Sequence, residues 1–372
     1  MKCRNERFVF EEAKHEDMAQ ILEILEESGF KGNISLLYTR RPDAYISFMY
    51  EGQEVSLAVC RDTQNNRIAG IGAVALRQVY VNGKPEKVGY LFALRVREEY
   101  RNVYKLVNRG YDYFSSCPAV KKASYFITTI LEENEYAIKL LEKKRPFMPL
   151  YEFYQRYEVF TMTTRSKWTK YKNTKMTLKH AETSDIPMLV DFLNREGRKS
   201  QMFPVLDEIN IKNTIVPGLS TESFYILLDG NGEITACALA WDQKDYKQYV
   251  VKGYGGILKA LYPVSFLFNI FGYPSLPPVD SILKFFTLSF WAVRDNLPEI
   301  FSILLGAIAK QKKEYPFFIA GICEGHPLKQ VLDNIPHISY SSRIYLVDWE
   351  RLGGNVDRLD KNFLPYLECG ML

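Results

Sequence analysis

The sequence predicts an α/β protein whose mixed α+β sheet is built from two tandem copies of one domain. The chain has 372 residues, a length typical of two domains. Hydrophobic residues make up 47% and charged residues 25%, the balance of a globular protein with a sizeable core. A strand-and-helix pattern near the N-terminus recurs in the second half, and the elements that follow it recur in the same order.

The first two elements of each copy have the same pattern. Residues 8–25 read "FVFEEAKHEDMAQILEIL" and residues 176–193 read "MTLKHAETSDIPMLVDFL". In both, a short alternating strand is followed by apolar residues at positions i, i+3, i+4 and i+7, which lie on one face of a helix. Acidic residues in the first turn suit the positive end of the helix dipole. Each copy therefore begins with a strand and an amphipathic helix.

Hairpins follow in both copies. "VSLAVCRDTQNNRIAGIGAVAL" (residues 55–76) and "FYILLDGNGEITACALAW" (residues 224–241) each predict two strands joined by a polar turn. In the first copy, Asn82 and Gly83 mark a further tight hairpin between the third and fourth strands, because Asn-Gly suits the left-handed residues of such turns.

The later elements align as well. "LFALRVREEYR" from Leu91 matches "LSFWAVRDNLP" from Leu288, and "YFITTILEEN" from Tyr125 matches "FFIAGICEGH" from Phe317. A helical segment and an aromatic-rich strand close each copy. Each copy therefore reads β-α-β-β-β-α-β-α-β.

These matches give the domain boundaries. We expect domains at 1–164 and 176–352, a basic linker at 165–175 and a C-terminal tail at 353–372. The linker has basic residues and no acidic one, which we interpret as a solvated charge run. The second copy has about thirty extra residues before its fourth strand, an apolar insert at about 253–286.

The insert has three interpretations. It packs between the domains, which we favour, or it lines an acyl tunnel, or it contacts a membrane surface through residues 257–274. We do not expect it to cross a membrane, because Lys259, Pro263 and Asn269 interrupt its apolar run.

Composition and cysteine spacing exclude several classes. A net charge of +4 is too small to indicate a nucleic-acid partner. The six cysteines form no CxxC pair and have no histidine cluster beside them, so we expect free thiols and no metal site. The charged N-terminus has no apolar signal core, and we expect a cytoplasmic protein.

The ordered set of elements resembles the GNAT superfamily of acyl-CoA N-acyltransferases. "FVFEEAKHEDMAQILEIL" is similar to the family's first strand and helix, and "LRVREEYRN" is similar to its strand-four motif. "TTILEENEYAIKLLEKK" is similar to the helix after strand five, where Asn134, Ala137 and Leu140 match the family pattern. The tyrosine-rich closing strand is a fourth similarity. The chain thus resembles two acyl-CoA N-acyltransferase-like domains in tandem.

The resemblance implies acetyl-CoA or another acyl-CoA as co-substrate, bound by the first copy, and no metal. In the family, the backbone of strand four binds the pantetheine arm and the thioester carbonyl. The pyrophosphate lies in a glycine-containing loop at the start of the next helix, where unpaired N–H groups favour anions. The implied cofactor-binding residues are Leu94, Arg95, Val96, Arg101, Asn102, Val103, Tyr104, Lys105, Leu106 and Asn134.

The loop departs from the family pattern in both copies. Arg101 matches, but Tyr104 stands where the family has glycine, and Leu106 replaces a small residue. In the second copy residues 298–303 do not match at all, and Glu299 would repel a phosphate. The first copy is therefore the expected cofactor site.

For the chemistry, the acceptor amine must lose a proton before it attacks the thioester. Glu132 and Glu133, at the end of the fifth strand, are the candidate bases. The competing interpretation is that they are ordinary charges before a helix start. The family's usual acid is a tyrosine, whose place here is taken by Leu141.

We therefore expect an N-acyltransferase that moves an acyl group, with acetyl expected, from acyl-CoA to a small-molecule or peptide amine by direct attack on the thioester. Two alternatives are open. Fem-type aminoacyltransferases, which also resemble tandem GNAT-like domains, use aminoacyl-tRNA and need no pyrophosphate loop. A non-catalytic ligand-binding or scaffold protein would also explain the missing glycines.

Overall fold

The computed structural model describes residues 7–27, 29, 33–103, 105–145, 148–166, 175–271 and 275–372 of the chain. Within them, the strands are β1 (Phe8–Glu12), β2 (Ile34–Thr39), β3 (Glu54–Asp62), β4 (Arg67–Val81), β5 (Lys84–Val96), β6 (Tyr125–Leu131), β7 (Leu150–Thr163), β8 (Thr177–His180), β9 (Ser200–Gln201), β10 (Phe224–Leu228), β11 (Ile234–Trp241), β12 (Gln248–Tyr254), β13 (Phe285–Val293), β14 (Phe317–Cys323), β15 (His337–Asp348) and β16 (Leu364–Pro365).

The helices are α1 (Met18–Glu27), α2 (Ala44–Met49), α3 (Leu106–Ser116), α4 (Pro118–Lys122), α5 (Glu135–Leu141), α6 (Ile186–Gly197), α7 (Glu208–Lys212), α8 (Gly256–Leu261), α9 (Pro298–Gln311) and α10 (Lys329–Asp333). The 3₁₀ helices are His15–Asp17, Glu98–Tyr100, Thr183–Asp185, Thr221–Ser223, Tyr262–Phe271, Arg294–Asn296, Val356–Arg358 and Cys369–Met371.

Twelve strands form one mixed sheet in the order β1-β3-β4-β5-β6-β15-β7-β14-β13-β11-β10-β8. From either edge inward, five strands of one half are followed by the closing strand of the other half. The five are β1, β3, β4, β5 and β6, followed by β15, and β8, β10, β11, β13 and β14, followed by β7. Neighbouring strands are antiparallel except for β5–β6 and β13–β14, which are parallel. The predicted α/β class with a mixed sheet is confirmed.

The closing strands are exchanged between the halves. β15, from the second half, pairs with β6 of the first half, and β7, from the first half, pairs with β14 of the second. β7 and β15 also pair with each other along their length. The sheet is therefore continuous, although the proposed boundaries 1–164 and 176–352 separate the halves in sequence. Residues 167–174 of the predicted linker lie outside the described residues.

The predicted Asn-Gly hairpin joins β4 to β5. Asn82 has φ of 51° and Gly83 has φ of 75°, the left-handed values that a two-residue hairpin requires. Val81 and Lys84 pair directly on either side of the turn. This prediction is confirmed.

Helices cover both faces of the first half of the sheet. α1 and α2 pack on one face, where Ile21 and Phe48 contact β3 and β4. α3 and α4 pack on the other face, where Phe114 lies in one cluster with Leu91 and Val74. The two faces of β5 therefore meet different helices, and we call the first of them the α1/α2 face.

The insert contacts the first half at its start. β12 pairs with β2, so that Tyr254 lies opposite Ile34. Beyond this contact, α8 and the 3₁₀ helix that follows it carry exposed apolar side chains, with Ile257 76% and Phe266 63% exposed. No helix among the described residues is both long and apolar enough to cross a bilayer. Residues 272–274, the end of the proposed membrane-contact segment, lie outside the described residues.

The segment predicted as a C-terminal tail is part of the core. β16 pairs with β9, and Tyr366, Leu367, Glu368 and Cys369 are buried. The prediction of a tail is therefore wrong, because apolar and charged residues follow one another here without a clear period that would indicate burial. The residues 366–372 are called the buried end segment below.

Candidate functional site

β5 and β6 separate part of the way along their length. They pair from Val88 and Tyr125 to Tyr90 and Ile127, and the described residues give them no further pairing. Beyond this point β5 pairs only with β4, and β6 only with β15. The result is a V-shaped opening whose facing backbone edges can bond to an extended ligand.

Side chains close the apex of this opening. The Tyr90 hydroxyl lies 2.9 Å from the Thr129 hydroxyl. The Thr128 hydroxyl donates a hydrogen bond of 2.7 Å to the carbonyl oxygen of Leu91. The two strands are thus joined at the apex and free of each other beyond it.

A bulge re-aims β5 just beyond the apex. Ala93 has φ of 55°, and the pairing with β4 shifts between Ala73, opposite Phe92, and Ile71, opposite Arg95. A left-handed conformation at a residue other than glycine is strained, and such bulges occur beside functional sites. The bulge therefore marks the strand edge that faces the opening.

Beyond the bulge, the three predicted strand positions have different surroundings. Leu94 is 46% exposed. Burial lowers the pKa of Arg95, whose electrostatic neighbours are Tyr38 and Tyr249. Val96 pairs with β4 and packs on the cluster that contains the first residue of α3. The roles of Leu94, Arg95 and Val96 in binding a cofactor stay predictions.

The predicted phosphate loop lies between β5 and α3. Arg101 and Asn102 are exposed, Val103 is half-buried and Tyr104 lies outside the described residues. Lys105 has φ of 59° at the N-cap of α3. Lys105, one position after the place where the family has glycine, therefore has a left-handed backbone that glycine adopts more easily.

α3 begins with Leu106, which is buried and anchors the helix. The first N–H groups of a helix have no partner within it, and its N-terminus carries partial positive charge, so this end suits an anion. Arg109, one turn into α3, donates a 2.9 Å hydrogen bond to the Phe8 carbonyl oxygen. Arg109 thus ties α3 to β1.

The predicted residues after β6 lie at the open end of the V. Asn134 caps α5 by accepting a 3.1 Å hydrogen bond from the Ala137 N–H. Glu132 forms an ion pair of 2.7 Å with Arg156, and Glu133 is exposed. The role of either glutamate as a base stays a prediction.

A buried charge cluster, which sequence reasoning missed, lies on the α1/α2 face. Glu51 forms ion pairs with Arg40 at 2.5 Å, Lys247 at 3.0 Å and Arg77 at 3.4 Å, and all four side chains are buried. Burial alone would raise the pKa of Glu51, but Lys247, Arg40 and Arg77 together lower it to about 2. Burial lowers the pKa of Lys247 to about 8, against the opposing effect of Glu51.

The cluster reaches the apex through Arg77, whose guanidinium lies 4.3 Å from the centre of the Tyr90 ring. The buried end segment meets the same cations: Arg77 donates to the Met371 carbonyl oxygen at 2.5 Å, and Lys247 donates to a Leu372 oxygen at 3.1 Å. Glu51 and Lys247 are almost two hundred residues apart in sequence. Only the tertiary fold brings them together, so no local motif could have revealed the cluster.

A cavity of about 480 Å³ lies between the halves on this face. One end is formed by the last paired residues of β5 and β6, including Tyr90 and Ile127. The other end is formed by Trp241 and Phe290 of the second half, and Arg77 is one of its few charged lining residues. A group that extends past the apex of the opening would therefore enter a mainly apolar chamber.

The second half has the same opening, but its own chain fills it. β13 and β14 pair from Phe285 and Phe317 only as far as Leu288 and Ala320. Phe290, which aligns with Ala93, also has a left-handed φ, of 46°. Its N–H donates a 2.6 Å hydrogen bond to the Glu368 carboxylate.

In the part of the chain that the structure describes, the second half has no counterpart of the loop between β5 and α3. α9 begins at Pro298, the residue that aligns with Arg101, so helix replaces the loop, and Glu299 lies in the first turn. The five cysteines of the described residues, Cys60, Cys117, Cys237, Cys323 and Cys369, are free and buried. Among the described residues, no three His, Cys, Asp or Glu side chains are grouped so that they could hold a metal ion.

Comparison with known proteins relates this geometry to acyltransferases. No family model matches the sequence, and the comparison with curated proteins gives no significant match. N-myristoyltransferase of Saccharomyces cerevisiae with bound myristoyl-CoA superimposes with a TM-score of 0.59 at 9% identity, over 92% of this chain and 83% of that one.

Two GCN5-related N-acetyltransferases are similar as well. The protein from Sphaerobacter thermophilus has a TM-score of 0.53 at 11% identity, over 94% of this chain and 97% of that one. The protein from Anabaena variabilis has a TM-score of 0.51 at 12% identity, over 91% and 72%. The chain therefore has the fold of these N-acyltransferases, as the resemblance to the GNAT superfamily predicted.

Proposed function

We propose that the protein is an N-acyltransferase that transfers an acyl group from acyl-CoA to an amine, with the thioester bound in the opening of the first half. The observation that carries this proposal is the separation of β5 from β6, with the bulge at Ala93 leading to the N-terminus of α3. The yeast protein of the same fold holds myristoyl-CoA, which supports an acyl-CoA ligand here.

The pantetheine arm lies extended between β5 and β6, where it bonds to the backbone of residues 94–96. The pyrophosphate lies on the first turn of α3, with Arg101 and Lys105 beside it. Two features support this placement: the left-handed Lys105 opens the loop, and the helix start favours an anion. In the second half α9 begins at Pro298, where the loop would lie, and Glu299 in its first turn disfavours an anion.

In the reaction, the amine nitrogen attacks the thioester carbon, the new C–N bond forms and the C–S bond breaks. The amine proton passes to a base, and the coenzyme A thiolate leaves and takes up a proton. A backbone N–H at the β5 bulge donates to the carbonyl oxygen as charge develops on it. Glu132 and Glu133 are the proposed bases.

The acyl chain and the acceptor share the face of the sheet on which the cavity lies. If the acyl group is acetyl, as expected from the sequence, it does not fill the cavity of about 480 Å³. The remaining space then holds the acceptor, a small-molecule or peptide amine with an apolar part. A long acyl chain would fill the same space itself. Chain length and acceptor size are therefore linked through one chamber.

Calorimetric titration with coenzyme A, acetyl-CoA and palmitoyl-CoA tests the proposal. We expect binding of at least one acyl-CoA, and the chain that binds better identifies what fills the chamber. If none of the three binds, the acyltransferase proposal is wrong and a non-catalytic protein of this fold is indicated.

The base is tested by release of free coenzyme A thiol from the Glu132→Gln and Glu133→Gln variants. Loss of a general base lowers kcat by about 100-fold with little change in KM. We expect this result for one of the two variants. Full activity in both would show that neither glutamate is the base.

A further inference from the structure

The Glu368 carboxylate is enclosed at the bulge of the second half. It is 3% exposed and accepts hydrogen bonds from the Phe290 N–H at 2.6 Å, the Tyr366 hydroxyl at 2.7 Å and the Gly370 N–H at 3.0 Å. Enclosing a carboxylate is costly unless donors satisfy it, and here three do. The site is therefore built around this group.

The Phe290 N–H, one of these donors, lies at the position that corresponds to the bulge of the first half. Phe290 and Ala93 are aligned bulge residues, and both are left-handed. In the first half, the N–H groups at this bulge are proposed to bind a thioester carbonyl. In the second half, the equivalent N–H binds an oxygen of Glu368. The oxygens of a carboxylate and of a thioester carbonyl both accept hydrogen bonds from N–H groups. Glu368 therefore takes the place that the ligand has in the first half.

The buried end segment then continues from the second half to the first. Tyr157, on the exchanged strand β7, donates to the Leu367 carbonyl oxygen at 3.0 Å, and Gln243 donates to the Gly370 carbonyl oxygen at 2.7 Å. The next two residues accept hydrogen bonds from Arg77 and Lys247. A segment fixed in one opening therefore contacts cations of the charge cluster, one of which, Arg77, packs on Tyr90 at the apex of the other opening.

We infer that Glu368 is a positioning residue that occupies the ligand place of the second half. It thereby anchors the buried end segment, and this segment holds Arg77 and Lys247 in place beside the reaction site of the first half. The second half consequently binds no acyl-CoA. This inference rests on the proposed function of the first half.

The stoichiometry of acyl-CoA binding to the unaltered protein is the first test and needs no variant. Calorimetry should give one site per chain, and the Arg101→Glu variant should weaken that site without revealing another. Two sites per chain would overturn this inference and leave the proposed function intact. No binding would overturn both.

The second test compares Glu368→Ala with Glu368→Gln. The glutamine keeps one oxygen for the Phe290 N–H, whereas alanine removes every acceptor. We expect Glu368→Ala to lower kcat at least about tenfold through misplacement of the reaction site, with KM for acyl-CoA within about twofold of the unaltered value. Glu368→Gln should recover most of kcat.

Unchanged kcat in a folded Glu368→Ala protein would contradict the positioning role, as would an equal loss in kcat/KM for acyl-CoA in both variants. If the alanine variant does not fold, Tyr366→Phe removes one of the three donors and leaves the others. It should lower kcat without changing KM for acyl-CoA, and unchanged kcat or a change in KM alone would overturn the inference.

Discussion

The two halves share strand order and bulge, yet they use the opening between their fourth and fifth strands differently. In the first half the opening leads to a loop and to the N-terminus of α3. In the second half the buried end segment fills the opening, and α9 begins without a loop. Both copies thus have the same backbone arrangement. They differ in the residues that determine whether the opening can take a ligand or is filled by the chain itself.

The comparison also shows how an internal contact in one half affects the other. The exchanged strands β7 and β15 and the charge cluster around Glu51 join the halves on the face where the cavity lies. Four changes test this arrangement. They begin with the largest expected effect on free energy.

The Glu51→Gln substitution removes the anion that the buried cations of both halves share. Arg40, Arg77 and Lys247 would be left without their common counter-charge, so we expect a loss of about 4 kcal/mol in the free energy of unfolding at pH 7. Urea denaturation measures it. A matched control is Glu135→Gln on the surface, which should leave the denaturation midpoint unchanged.

The pH dependence of the same variant has a definite sign. The folded pKa of Glu51 is lowered from 4.5 to about 2, so its stabilising effect is fully present above pH 4.5 and is lost as the pH falls towards 2. The difference in unfolding free energy between the unaltered protein and the variant should therefore shrink over this window. A difference that is constant with pH would show that Glu51 is not ionised in the cluster.

The Gly321→Ala substitution tests the strand exchange. A Cβ at Gly321 in β14 would lie 1.8 Å from the Tyr157 hydroxyl of β7, in a fully buried junction. We expect a destabilisation of about 3 kcal/mol, measured by urea denaturation. Gly253→Ala is the control, because a Cβ there meets nothing within 4 Å. Equal stability of the two variants would contradict the packing of β7 against β14.

The sequence predicted what local chemistry determines. Asn82 and Gly83 specified their hairpin, the repeated apolar spacing specified the opening strand and helix of each half, and the mismatch at 298–303 indicated that the halves differ. It did not predict the exchange of closing strands. β7 and β15 have similar aromatic alternation, so either pairing satisfies the pattern.

The candidate site was predictable only in part, for a similar reason. The order of strands and helices in the sequence predicts where its backbone elements lie, because the strand before a loop and the helix after it determine the position of the loop. Glu51, Lys247 and Glu368 belong to separate segments without a motif, and burial is what makes them important. The sequence showed that Tyr104 stands where the family has glycine, but it did not show that the next residue, Lys105, adopts a left-handed backbone.

Charge reversal near the start of α3 and near the start of α9 separates the halves as ligand sites. Arg101→Glu places a carboxylate beside the proposed pyrophosphate, so we expect acyl-CoA affinity to fall about tenfold or more at low salt. Glu299→Lys, at the start of α9, should change affinity less than about twofold. Calorimetry at two salt concentrations measures both. Similar effects in the two variants would contradict the placement of the pyrophosphate on α3.

The smallest effect is expected at Lys105, where conformation and charge act in opposite directions. A left-handed conformation costs a residue with a Cβ about 1–2 kcal/mol, whereas glycine adopts it freely but loses more entropy on folding. Lys105→Gly should therefore raise the free energy of unfolding by about 0.5 kcal/mol. Asn296→Gly, at a left-handed residue before α9, should gain less, because asparagine tolerates this conformation.

The ligand separates the two contributions of Lys105. If the Lys105 cation contributes to acyl-CoA binding, Lys105→Gly should be slightly more stable than the unaltered protein. It should also bind acyl-CoA about threefold more weakly, the effect of one exposed charge at a helix start. Denaturation and calorimetry on the same preparation measure both. A variant that is more stable and binds equally well would show that the helix N–H groups alone hold the anion, and the lysine would then be a substitute for glycine in backbone conformation only.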